Sequence, residues 1–138
     1  MKYIIMLNGS QQDYDVLAGR PTGKPAMSPQ DVAKMHEYMG AFHKQLEESG
    51  ELVDARGLTA PVHARRVQLR NGVPVVTDGP YAETEEVLAG YWIVECESFD
   101  RATQIAARLA ACPAPAQVAA NAVADVRPIA DSAADLEL

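Results

Sequence analysis

The chain reads as strand, helix, strand, hairpin, strand, helix, strand. That order predicts an α+β fold: a ferredoxin-like sheet with two helices on one face and an inserted β-hairpin. Three observations carry the prediction. Two segments with helical periodicity each follow a capping serine, Ser28 and Ser98. An Asn71-Gly72 pair separates two β-rich runs. The runs "KYIIML" and "GYWIVECE" are apolar on both faces, as strands covered on both sides should be.

Each element has its own physical grounds. Residues 2–7 form the first strand, central in its sheet. Asn8 to Met27 is rich in Gly, Pro and Asp without any period, so a long loop is expected there, of a length that often serves as a lid. At the next helix Ser28 can cap, Pro29 fits the first helical position and Asp31 stands where a capping-box acid belongs. Its apolar stripe is Val32, Met35, Met39, Phe42 and Leu46, and Gly50 ends it.

From Glu51, "ELVDARGL" is the second strand. "RRVQLRNGVPVVT" is a hairpin closed by a type I′ turn at Asn71-Gly72, with Pro74 confined to an edge or bulge because it cannot donate to a ladder. Gly90 to Glu97 is the next buried strand. Ser98 then opens a helix with Ala102, Ile105, Ala106 and Leu109 on one face, stopped at Cys112-Pro113. A loop to Ala120 and a last strand in "AVADVRPI" complete one domain over 1–130, and 131–138 is an acidic tail without a core role. The helices cover one face of such a sheet only. A second copy of the chain is the simplest cover for the other.

Composition excludes several function classes. Twelve Lys and Arg against 19 Asp and Glu leave a net charge of −7, which repels a phosphate backbone. Arg56, Arg65, Arg66 and Arg70 are the one candidate basic stripe, and with few aromatics between them they read as solvated strand faces rather than a nucleic-acid surface. Cys96 and Cys112 make neither a metal-ligand nor a redox spacing, and no charged-then-apolar leader precedes them, so a reduced, cytoplasmic protein is expected. No apolar run approaches the roughly 20 residues that cross a bilayer, so no membrane partner is expected. P-loop, dinucleotide and covalent-triad patterns are missing, and no cofactor is called for.

The run "DGPYAETEEVLAGYWIVE", with "NGVPVVT" before it and "VRPI" near the end, resembles the YCII-related proteins, in particular the DGPF group named for this turn. The resemblance covers Lys2 to Ile129; Tyr81 stands where the group's name has Phe. It implies a dimeric α/β barrel, two ferredoxin-like sheets closing around an interior cleft. It also implies two functional directions: small enzymes with a His and an Asp in the cleft, and genes beside extracytoplasmic-function sigma factors. His36 stands where the YCII-like enzymes place their His, with Glu48 in place of the expected Asp. Helical geometry turns Glu48 more than a quarter turn from His36, so the two cannot meet.

The candidate site follows from these residues. Asp78 is either a turn residue accepting backbone N–H groups or a proton acceptor beside the cleft. Glu83, Glu85 and Glu86 read as a solvated connector or, with Asp78, as oxygen ligands for a hard cation; Glu83, part of the family motif, is expected to point inward. His36 and His43 lie seven apart on one helix edge with Gly40 between them, a glycine that inside a helix usually marks a close approach. His63 is expected to be exposed. Tyr81, Tyr91 and Trp92 could line an apolar cleft, but adjacent strand residues face opposite ways, so one of the last two packs under the helices. Arg127 is a candidate partner for a motif carboxylate or an edge-strand surface charge.

Two functions are therefore expected. The first is a homodimer binding a small organic molecule in a cleft, with His36 and Asp78 as catalytic and Tyr81, Glu83, Trp92 and Arg127 as ligand-binding residues, open to cofactor-independent acid–base chemistry. The second is a regulatory or interaction module with a partner in a sigma-factor pathway.

Overall fold

A computed structural model describes residues 1–115 and 122–137. The elements in chain order are β1 (Lys2–Gly9), α1 (Gln11–Leu17), α2 (Pro29–Ser49), β2 (Leu52–Gly57), β3 (Arg65–Arg70), β4 (Val73–Asp78), β5 (Val87–Glu95), α3 (Phe99–Ala110) and β6 (Asp125–Pro128). Short 3₁₀ turns cover Pro61–His63 and Ala133–Glu137. The main sheet has the order β2-β5-β1-β6 and is antiparallel throughout, while β3 and β4 form a separate two-stranded sheet. The molecule is thus α+β with an inserted hairpin. The end of the expected loop before the last strand, residues 116–120, lies outside the described residues.

Local chemistry explains the secure elements. The Asp31 backbone N–H donates to the Ser28 hydroxyl at 3.1 Å, and the Ser28 N–H donates back to the Asp31 carboxylate at 3.4 Å, a complete capping box at the start of α2. Its far end closes at Gly50, whose φ of +77° suits the left-handed cap that glycine tolerates best. Asn71 and Gly72 have φ of +52° and +77°, the pair of positive values that a type I′ turn requires.

The core is the space between the sheet and two helices. Tyr3 and Ile5 of β1, Val94 of β5, Phe42 and Leu46 of α2, and Ala102, Ile105, Ala106 and Leu109 of α3 form one buried cluster. Glu51 at the start of the β2 segment accepts two hydrogen bonds from the Arg101 guanidinium, at 2.8 and 2.9 Å, and so ties α3 to the end of α2. That guanidinium, with help from the Ser49 hydroxyl, holds the Glu51 carboxyl below its ordinary range.

Strand parity settles what the other face carries. Ile4 is registered with Ile93 and Arg127, and Met6 with Tyr91 and Asp125. Residues directly opposite one another share a face, so these side chains all point away from Tyr3 and Ile5. Arg56 and Asp54 of β2, opposite Tyr91 and Ile93, continue that face. Ile4, Met6, Tyr91 and Ile93 are half-buried, and neither long helix covers them.

The segment from Asn8 to Met27 departs from expectation: it contains α1. Ser10 is buried at 1% exposure and caps it, the Asp13 N–H donating to its hydroxyl at 3.2 Å and its own N–H donating to the Asp13 carboxylate at 2.8 Å. Burial pushes the Asp13 carboxyl up, but the hydrogen bonds from Ser10 and Lys24 outweigh it and hold the group below its ordinary range. A helix of seven residues is marginal by itself and shows no period to read. Its cap and its docking make it. The acidic tail also takes some form, its last turn capped where the Asp135 carboxylate accepts from the Asp131 and Ser132 N–H groups, with Leu136 left 76% exposed.

A corner depression as candidate functional site

Helix α1 fastens two loops to each other. On one side, the Val62 N–H donates to the Gln11 side-chain oxygen at 3.0 Å, and the Tyr14 hydroxyl donates to the Leu58 carbonyl at 2.8 Å. On the other side, the Gln12 N–H donates to the Glu83 carbonyl at 3.1 Å and its side-chain amide to the Glu83 carboxylate at 3.3 Å. The Tyr14 hydroxyl also lies 3.3 Å from the Ala89 carbonyl, and burial pushes its phenol up. Between the two loops lies an open depression of about 330 Å³. Leu58, Pro61, His63, Tyr81, Val87 and Leu88 are among the residues that line it.

The Asp78-Gly79-Pro80-Tyr81 turn contributes Tyr81 to the depression's lining. Gly79 has φ of +53°, and a Cβ there would come within 3.3 Å of the Val62 carbonyl, so glycine is needed for both conformation and close approach. Its N–H donates to the Ala64 carbonyl at 2.8 Å, which closes the turn onto the opposite loop. Tyr81 is part of the lining, and the Arg66 guanidinium carbon sits 5.4 Å from its ring centroid, a cation–π distance.

The expected site residues separate in space. Asp78 accepts from Arg65 Nε at 3.0 Å across the hairpin, with both side chains about three-quarters exposed; among the described residues it caps no backbone N–H of its own turn. Its carboxylate is outside the lining of the depression. Glu83 is exposed instead of pointing inward, because Gln12 holds it at the surface. Glu85 and Glu86 are exposed as well, and among the described residues no three His, Cys, Asp or Glu side chains gather closely enough to hold a metal ion.

His36 lies exposed on α2, a helix that packs on β2 and α3, and it does not line the depression. Its helix neighbour His43 pairs with Glu47 at 3.0 Å. Apart from its chain neighbours and its own helix's backbone, no described atom comes within 4 Å of a Cβ built at Gly40, so the close approach that this glycine suggested is made by no described segment. Of the two adjacent aromatics, Trp92 is the one under the helices: its ring meets Phe42 edge-on at a centroid distance of 5.6 Å. Its indole N–H is buried and, among the described residues, without a partner. Tyr91 takes the uncovered face. Arg127 is on that face too, exposed, and pairs with none of the described motif carboxylates.

Of the residues expected at a site, the structure thus brings only Tyr81 into the depression. His63, exposed as expected, is a lining residue that the sequence did not single out; its signal was the Pro61–His63 turn, too short to show what it would face. Leu58, Val87 and Leu88 reach the depression from strand ends that meet only once the sheet and α1 are in place.

Comparison with known proteins places this chain in a family. The YCII-related domain model matches residues 1–130. A relative, an uncharacterised protein of Rhizobium meliloti (strain 1021), is 30% identical over 81 residues, 59% of this chain. The match spans 65% of that relative's own length. No helix among the described residues is long and apolar enough to cross a membrane.

Proposed function

The chain belongs to the YCII-related family, and from that premise we propose that it is a homodimeric protein that binds a small organic molecule in the corner depression. The observation that supports this most is the depression itself: about 330 Å³, within the size range of small-molecule sites, at the edge of the family's turn motif. Its walls are chiefly apolar, with Tyr81 and His63 as the polar groups that would orient a ligand. An imidazole can both give and take a proton, so cofactor-independent acid–base chemistry such as isomerisation or elimination is the reaction class the seat suits. In this reading Asp78 sets the base of the hairpin through Arg65, and His36 takes no direct part. The uncovered sheet face, apolar at Ile4, Met6, Tyr91 and Ile93, supports the dimer: two such faces opposed would make the dimeric α/β barrel.

The test is a thermal-shift panel of small organic metabolites on the native chain, Tyr81→Ala and His63→Ala, with sedimentation to give the oligomeric state. A ligand present at about a hundred times its Kd adds roughly 2.7 kcal/mol to stability. Such a ligand should raise the Tm of the native chain and lose that effect in both variants. A shift of equal size in all three proteins would place binding elsewhere. Silence across the panel would favour an interaction module of a sigma-factor pathway.

A further inference from the structure

The uncovered face of the main sheet carries charges as well as apolar side chains, and strand order and register lay them out in rows across β6, β1, β5 and β2. One row reads Arg127, Ile4, Ile93, Asp54, and the next reads Asp125, Met6, Tyr91, Arg56. On the other side of the first row, Lys2 of β1 is registered with Glu95 of β5. Lys2 stands two residues before Ile4 and Glu95 two after Ile93, so both point to this same face.

The midline between β1 and β5 divides these rows into opposites. Across it, Arg127 stands against Asp54, Asp125 against Arg56 and Lys2 against Glu95. The apolar positions match in kind, Ile4 against Ile93 and Met6 against Tyr91. Three positive and three negative groups leave the face neutral in a chain whose net charge is −7. Turning a second such face by 180° about the midline and laying it on the first puts every charge over its opposite and every apolar side chain over another. A pattern that is its own complement selects a second copy of the same chain. Among the described residues Asp54 pairs with Arg56 at 3.0 Å, while Asp125 and Arg127 make no ion pair.

We infer that these six charges set how two copies pair, with the two-fold axis along the midline between β1 and β5. Arg127 then meets the partner's Asp54 and Asp125 meets the partner's Arg56, once at each of two seams. Lys2 lies over the partner's Glu95 between them. At each seam Asp54, Arg56 and the partner's Asp125 and Arg127 close a ring of four alternating charges. An axis across the strands would instead set Arg127 over the partner's Asp125 and leave Lys2 and Glu95 without opposites, so the third row selects the axis along the strands. The inference rests on the dimer of the preceding section and adds its register.

Two exchanges that keep composition and net charge test it. Asp125→Arg/Arg127→Asp reverses the β6 edge, and Asp54→Arg/Arg56→Asp reverses the β2 edge. In sedimentation across a concentration series, each exchanged chain alone should show a dimer Kd raised about tenfold or more, because like charges meet at both seams. An equal mixture of the two should return to within about threefold of the native Kd, since each seam then joins two native or two reversed edges. That recovery also shows that both chains fold. If an edge exchange folds poorly, Lys2→Glu, which should weaken the dimer, and Lys2→Glu/Glu95→Lys, which should restore it, decide the matter. Exchanged chains that dimerise as the native chain does, or a mixture of folded chains no tighter than its parts, would overturn the register and leave the dimer standing. A native chain monomeric at every concentration would overturn the dimer and the register together.

Discussion

The helix-covered half of this molecule and its hairpin corner are built on different physics. Between α2, α3 and the sheet, nine buried side chains form one cluster, and Ile5, Leu46, Val94 and Ile105 have no exposure at all. At the corner, polar contacts do the holding: Gln11, Gln12 and Tyr14 of one short helix reach two loops. Burial scales with area and tolerates imprecision, whereas hydrogen bonds to particular carbonyls fix geometry with little net energy. The first half supplies stability and the second supplies shape.

Substitutions that break each half should differ accordingly. The largest effect is expected for Leu46→Ala, which removes a fully buried side chain and should cost about 2–5 kcal/mol in urea unfolding, with little change in the shape of the corner. Next comes Glu51→Gln, which weakens the clamp on Arg101 and should cost about 1 kcal/mol, the partial exposure of the pair having reduced its worth. Because the folded Glu51 carboxyl titrates below its unfolded value, that contribution is present above the unfolded value and fades as pH falls through the folded one. Native and Glu51→Gln unfolding curves should therefore converge in acid, and a gap independent of pH would show that the clamp is not ionic.

Tyr14→Phe belongs to the corner. It deletes the hydroxyl shared by Leu58 and Ala89 and should cost about 1 kcal/mol or less overall, yet amide exchange should accelerate selectively across Leu58–Ala64. Uniform acceleration through the core strands would mean that the two halves open as one unit. The smallest effect is expected for Val76→Thr on the hairpin's outer side, under about 0.5 kcal/mol at concentrations where the chain is monomeric, because water already covers that side.

How much of this was legible in the sequence depends on the range of the contacts involved. The ends of α2, the turn at Asn71-Gly72 and the apolar stripe of α3 are written in neighbouring residues, and each is where the sequence puts it. Helix α1 was not legible, although Ser10 and Asp13 carry a capping box, because Val16 is its single buried residue and one residue has no period. Tyr81 could be placed at a site from its motif. His63 could not, since it meets Tyr81 only through a helix that the sequence conceals. Parity showed that Tyr91 and Trp92 part ways, but only the contact with Phe42 determines which of them lies under α2.

Because both walls of the depression hang from the same seven-residue helix, they are mechanically one part. If a molecule binds there as proposed, holding the Tyr81 wall would also stiffen the His63 wall, through Gln12 and Gln11, with the core contacts untouched. Conversely, a half-turn lost from α1 would slacken both walls at once while the rest of the chain stays folded.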